Sequence, residues 1–270
     1  MRLVRYLPLF SVLCILLLSQ LSAVNAFPAS GFTLKDGDWY DNWEIDRNNY
    51  AGPNGYLPQL ATETLNENRE LAYAIGEKFQ STYSSNVDRA VAILKYVQTW
   101  TEYGYDSDNV VRNGVPQDEW AWNADEMAHS FNEATGVKAV GDCEDLAFLC
   151  GTIYIAAGFD AAIVDAPEHA ALVIWLPEFS NANNYWDLPN DGRDAGWIWV
   201  EATGNSNPLG WTPPDFVDSG WTAYPIGNLQ FTPEAQPSSS TSTLIDTNLL
   251  LTIVGVIFFI LIVLSRLRRR

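Results

Sequence analysis

The stretch Gly141-Asp142-Cys143-Glu144-Asp145-Leu146-Ala147 decides the reading of this chain. It sets one cysteine among carboxylates and opens an apolar run (Leu146, Phe148, Leu149, Ile153, Ile155, Ala156) that stops at Gly158. The pattern predicts a helix over 142–157. A cysteine at a helix N-terminus meets unpaired backbone N–H groups and the positive end of the macrodipole, both of which favour its thiolate. The same N–H groups can hold the oxyanion of a tetrahedral intermediate. Cys150 follows seven residues later, about 10 Å along the helix axis. A disulfide needs Cα atoms within ~7 Å, so Cys143 and Cys150 are expected to stay unpaired. Cys150 reads as a small buried hydrophobe, whereas Cys143 is the candidate nucleophile.

A thiol nucleophile needs a base, and the base needs an orienting group. The chain has two histidines. His169 opens the apolar run 170–176, after a first run at 161–165, and both read as strands. Glu201 closes a third run at 196–202, rich in Trp and Val. A helix followed by antiparallel strands makes an α+β fold. In that order Cys143 is the nucleophile, His169 the base and Glu201 the orienting acid. Asp187 and Asp194, in the long polar loop 177–195, compete with Glu201 for the last role. His129, in a short helix expected over 125–131, reads as a surface or capping residue.

These residues resemble the nucleophile motif of the transglutaminase-like superfamily, in particular its bacterial and archaeal cysteine-proteinase branch. His169 with its strand is similar to the family's histidine strand. Trp199-Val200-Glu201-Ala202-Thr203 resembles its third motif, with glutamate where aspartate is usual. Val87-Asp88-Arg89-Ala90 through Tyr103-Gly104-Tyr105 looks like the helix and tyrosine-bearing end that precede the nucleophile. The likeness runs over about residues 62–204. It implies a papain-like, transglutaminase-like core with the nucleophile helix packed on an antiparallel sheet. It also implies a cysteine peptidase or amidase working by thioester acyl transfer on protein or peptide amides. The alternatives are a protein cross-linking transglutaminase, or a non-catalytic surface-binding module with the same fold. No cofactor is required, although the resemblance allows calcium near Asp142, Glu144 and Asp145. Helix capping by the same acids is the competing reading.

The ends of the chain carry other signals. Residues 1–26 join Arg2 and Arg5 to an apolar run and a small-residue end, the pattern of a secretory signal. Residues 247–265 are uncharged and apolar, long enough at ~1.5 Å per residue to cover a ~30 Å hydrocarbon core. The arginines of 266–270 follow as a cytoplasmic basic tail. Sequence alone therefore predicts a C-terminal transmembrane helix and a single-pass protein of the cell membrane, its ectodomain outside and its C-terminus cytoplasmic. Between the ends we expect an aromatic, acidic lead-in at 27–61, the catalytic domain at 62–231 and a Ser/Thr/Pro stalk at 232–246. Asp36, Asp38, Asp41 and Asp46 of the lead-in read as a solvated face. Six of the 15 Lys and Arg lie in the two ends, leaving nine against 33 Asp and Glu, a formal −24 over 27–246. Such a surface repels nucleic acid and anionic lipid; a protein or peptide substrate as partner is what the resemblance implies.

Overall fold

The computed structural model describes residues 31–50, 55–63, 70–226 and 238–241. Helices α1 (Tyr56–Glu63), α2 (Glu70–Thr82), α3 (Asn86–Trp100), the single turn α4 (Asp106–Asn109) and α5 (Ala124–Ser130) lead to α6 (Cys143–Ala156). Short strands β1 (Thr33–Lys35) and β2 (Asp38–Tyr40) form a hairpin. β3 (Thr101–Tyr103) pairs in parallel with β6 (Ala139–Gly141), and β4 (Val111–Arg112) pairs with β5 (Val115–Pro116). The main sheet holds β7 (Ala161–Ala166), β8 (His169–Trp175), β9 (Asn184–Asp187), β10 (Trp197–Val200), β11 (Thr222–Ile226) and β12 (Ser238–Thr241). Its order is β11-β7-β8-β10-β9-β12, with every neighbouring pair antiparallel.

The expected α+β class is present: the helices lie on one face of this sheet. Period-two alternation divides the strands between two cores. Ala161, Ile163, Leu172, Ile174, Ile198 and Val200 pack with α6 and the helices around it. Ala162, Val164, Ala171, Val173, Trp197 and Trp199 face the other way, into a layer with Trp186, Trp221 and Ala223. Both sheet faces are covered, and this is why the strands read as near-continuous apolar runs.

Helix α6 sits between the sheet and the other helices, and 12 of its 14 residues are buried. Gly76 of α2 lets the two helices close together: a Cβ there would lie 2.4 Å from both the Ala156 Cβ and the Ile153 carbonyl oxygen. Asp125 accepts hydrogen bonds from the backbone N–H groups of Leu71 and Ala72 at 3.2 and 2.8 Å, capping the start of α2 from α5. Asn123 and Glu126 form a reciprocal capping box at the start of α5.

Several expectations are corrected. The fold class included a C-terminal transmembrane helix, but no helix among the described residues is long and apolar enough to cross a membrane. The segment 247–265, like the signal read at 1–26, lies outside the described residues. The single-pass location, with ectodomain outside and C-terminus cytoplasmic, loses its structural basis and is withdrawn. Ser238–Thr241, read as part of a stalk, instead pairs with β9 at the sheet edge. The long loop 177–195 contains β9, a full member of the sheet. In the lead-in, Asp41 and Asp46 are buried rather than solvated. Asp41 lies 2.8 Å from the fully buried guanidinium of Arg47, which also meets Glu126 at 2.9 Å and so ties the lead-in to α5.

Gly76 gives a direct test of the helix contact. Alanine would favour a helix interior over glycine by about 1 kcal/mol, yet overpacking against a backbone carbonyl costs about 1–3 kcal/mol. Gly76→Ala is therefore expected to lower the Tm in thermal unfolding; an unchanged or raised Tm would mean that α2 and α6 are not in this contact.

Candidate active site

Cys143 is the first residue of α6, with Asp142 as its N-cap. The tight entry into the helix depends on Gly141. A Cβ there would lie 2.6 Å from Asp145 Oδ2 and 2.9 Å from Met127 Cε. Asp145 Oδ2 in turn accepts from the Asp142 N–H at 3.2 Å, and Asp145 Oδ1 accepts from the Trp122 N–H at 2.7 Å. The parallel β3–β6 pair, extended by a bond from the Gly104 N–H to the Gly141 carbonyl at 3.0 Å, brings Tyr103 to the same end of the helix.

The Cys143 thiol donates to Glu144 Oε2 at 3.2 Å. Burial pushes its pKa up, and the charges of Glu144 and Asp142 push it further, while the Ala170 backbone N–H works in the opposite direction. The resting group is thus a neutral thiol. Cys150 is free and fully buried, and burial likewise raises its pKa.

His169 begins β8, one residue before the Ala170 N–H that faces the sulfur. Its Nε2 lies 2.9 Å from Glu201 Oε2. Burial alone would raise the pKa of Glu201, but hydrogen bonds from His169 and Thr203 prevail and hold it below the ordinary value. Glu201 is then an ionised, acceptor-only carboxylate, which makes His169 Nε2–H the donor and leaves Nδ1 as the ring's free base. The carboxylate is further fixed by the Trp199 indole N–H at 3.2 Å on Oε2 and by the Thr203 hydroxyl at 2.6 Å on Oε1. The imidazole ring stacks on Phe216 with centroids 5.1 Å apart and planes 7° apart, and Phe216 stacks in turn on Trp199.

Of the competing acids, Asp187 lies in β9 and Asp194 is exposed in a loop. Glu201 is the carboxylate that meets His169. His129 is exposed in the last turn of α5, away from this cluster.

Sequence reasoning missed two further acids. Asp106, from α4, is buried and accepts from the Trp120 N–H at 2.6 Å. Glu119 reaches the same place from the preceding loop. Oxygens of Asp106, Asp142 and Asp145 lie within 4.8 Å of one another, as do those of Asp106, Glu119 and Glu144. The Tyr56 hydroxyl meets Glu144 Oε1 at 2.7 Å and also Glu119 Oε1. One phenol has one proton, so it cannot donate to both carboxylates at once. Among the described residues no Lys or Arg pairs with any of these five acids. Burial, then Glu144, raises Asp106 to about 7, and burial also raises Glu119, Asp142 and Asp145. The buried Asp142 Oδ1 has no hydrogen-bond partner. A hard divalent cation fits this donor set: several carboxylate oxygens, an unpartnered one, and no counter-charge of the protein's own.

No family model matches the chain, and no curated protein matches it. Among solved structures, a candidate cysteine protease from Cytophaga hutchinsonii is similar over 70% of this chain and 63% of its own length, less than two thirds, with 14% identity and a TM-score of 0.32. At that distance the likeness adds nothing to the reading of individual residues, which rests on the geometry above.

The Glu201 contacts make a pH prediction. A carboxyl whose folded pKa is depressed stabilises the fold above its unfolded value and loses that contribution as pH falls through the folded one. Glu201→Gln is therefore expected to destabilise the protein by about 2 kcal/mol at pH 7. In urea unfolding the gap to wild type narrows as pH drops below the ordinary 4.5; a pH-independent gap would show that Glu201 is not held as the charged form.

Proposed function

We propose that the protein is a cysteine hydrolase that cleaves amide bonds of peptides or proteins through a thioester, with Cys143 as nucleophile, His169 as base and Glu201 as the group that orients it. The observation that supports this reading is an imidazole whose Nε2 is engaged by a buried carboxylate, one residue before the Ala170 N–H that faces the helix-first cysteine.

The chemistry follows from those positions. The Cys143 sulfur attacks the amide carbonyl while its proton passes to His169 Nδ1. The S–C bond forms and the carbonyl electrons move onto oxygen, where backbone N–H groups at the start of α6 can stabilise the charge. Collapse breaks the C–N bond, and the departing amine takes the proton from His169. Water, deprotonated by the same imidazole, then attacks the thioester, and a carboxylic acid leaves as the thiol is restored. Glu201 stabilises the imidazolium in both steps, and the Phe216 ring keeps the imidazole in the plane that serves both partners.

The neutral resting thiol needs explaining in such an enzyme. A calcium ion held by Asp106, Glu119, Asp142 and Glu144 would supply positive charge beside the sulfur and offset the carboxylates that oppose the thiolate. The protein's own groups bind and position it; the proton still moves between Cys143 and His169.

Two measurements test this reading. With calcium present, iodoacetamide at neutral pH is expected to modify Cys143 and spare Cys150, with the rate falling about a hundredfold in His169→Ala, and casein cleavage is expected to vanish in Cys143→Ala. An inert Cys143 in the folded protein would point to a non-catalytic binding module, and incorporation of dansylcadaverine into casein without cleavage would point to cross-linking. For the cation, calcium added after chelator treatment is expected to raise the Tm by a few degrees. The Asp106→Asn, Glu119→Gln double variant should not respond; an equal rise in that variant would remove the ion from this site.

A further inference from the structure

A cavity of about 430 Å3 opens beside the catalytic residues. Its floor is the β7–β8 turn that ends at His169, and it is lined by Tyr50, Asp165, Glu168 and Trp221 among others. Tyr50 joins the cavity to the nucleophile. Its hydroxyl donates to Asp165 Oδ1 at 3.1 Å, and its ring meets Tyr56, the residue that bonds Glu144, edge to face at 5.5 Å.

Three features of the lining point to a ligand. First, Asp165 is half-buried and Glu168 exposed, and neither is paired with a Lys or Arg among the described residues. Second, Trp221 is only 3% exposed, yet its indole N–H has no hydrogen-bond partner. A buried N–H left unsatisfied costs free energy that a ligand oxygen would recover. Third, the half-buried ring of Tyr50 lines the cavity, a surface that attracts a guanidinium or ammonium group. An apolar occupant would desolvate two carboxylates with no return, and an acidic one would be repelled.

We propose that this cavity is a substrate subsite that takes a basic side chain, Arg or Lys, of the peptide being cleaved. The side-chain cation meets Asp165 and Glu168, and a peptide carbonyl accepts from the Trp221 indole. The formal −18 of the chain adds a long-range attraction for the same class of peptide. This rests on the reading of Cys143 as nucleophile, since the cavity gains its meaning from lying next to that group.

The test uses the full chain and peptidyl fluoromethyl ketones with one Arg, Lys, norleucine or Glu moved through the three positions next to the reactive ketone. The rate of Cys143 alkylation is followed by intact mass and expressed relative to iodoacetamide, which carries no side chain. At one position the Arg or Lys reagent is expected to react at least roughly fivefold faster than the norleucine one. That advantage should fall with added salt and be lost in the Asp165→Asn, Glu168→Gln double variant. The exposed Glu168→Gln single variant, which leaves the Tyr50–Asp165 bond in place, should show part of the loss. Equal rates for Arg and norleucine at every position would overturn the proposal, as would a preference that survives in the double variant. Failure of the underlying nucleophile assignment looks different: iodoacetamide itself, with calcium present, would then leave Cys143 unmodified.

Discussion

The structure depends on one constraint: α6 is buried on all sides, yet its first turn carries three carboxylates and a thiol. An apolar helix between a sheet and a helical layer forms readily, and burial of its apolar side chains contributes to the driving force for the fold. Charged groups at its entrance can be accommodated only if each finds partners, because an unpaired buried carboxylate is costly. The surroundings are arranged accordingly. Trp122 and Asp142 give backbone N–H groups to Asp145, and Tyr56 gives its hydroxyl to Glu144. Gly141 gives up a side chain so that Asp145 can turn back under the chain. The lead-in, which by itself has too little apolar surface to fold, is held in place because its tyrosines serve this entrance and its Arg47 is locked between Asp41 and Glu126.

The other half of the site is held by a different kind of contact. His169 and Glu201 emerge from the ends of neighbouring strands, β8 and β10, whose register places Val200 opposite Leu172. Continued by one residue, that register sets Glu201 opposite Ala171, two residues from His169, so their hydrogen bond crosses diagonally between the neighbouring strands. The tryptophan layer on the far sheet face completes the support. Trp199 both donates to Glu201 and carries Phe216, which in turn carries the imidazole. A glutamate, one methylene longer than aspartate, reaches His169 from just beyond the strand end without displacing either strand.

How much of this was legible in the sequence follows the range of each interaction. The helix at 142–157 and the strands before and after His169 were readable because local periodicity carries them, and chain order put Cys143, His169 and Glu201 forward as candidates. The orienting acid was read as Glu201 from its place at a strand end, with Asp187 and Asp194 as competitors, and Glu201 is the one of the three that meets His169. β9 was hidden in a polar loop because an edge-side strand of four residues has too short a pattern to stand out. Asp106 and Glu119 were missed for a stronger reason: each lies more than 20 residues before the cysteine, and only the packing of α4 and the parallel β3–β6 pair brings them to it. The buried Asp41 shows the converse error, a charged residue taken as solvated whose partner, Arg47, was six positions away. A lone arginine near an acidic stretch that is otherwise poor in bases was the available signal.

The acidic entrance and the backbone N–H groups around Cys143 pull in opposite directions, and this opposition bears on how the site can work. Helix α6 and the Ala170 N–H favour a thiolate at Cys143; Asp142 and Glu144 oppose it, and burial, the largest effect, tips the balance to the neutral thiol. A nucleophile held neutral is protected from oxidation and from stray electrophiles, because the thiolate is the reactive form. Activation then requires positive charge to arrive from outside the chain, and the two candidate sources act at different atoms. A divalent cation among the carboxylates would lower the opposing field directly. A basic side chain in the neighbouring cavity would do so more weakly, through Asp165 and Tyr50. Both would tie reactivity to occupancy, because each would set positive charge near a thiol that the surrounding carboxylates and burial hold neutral.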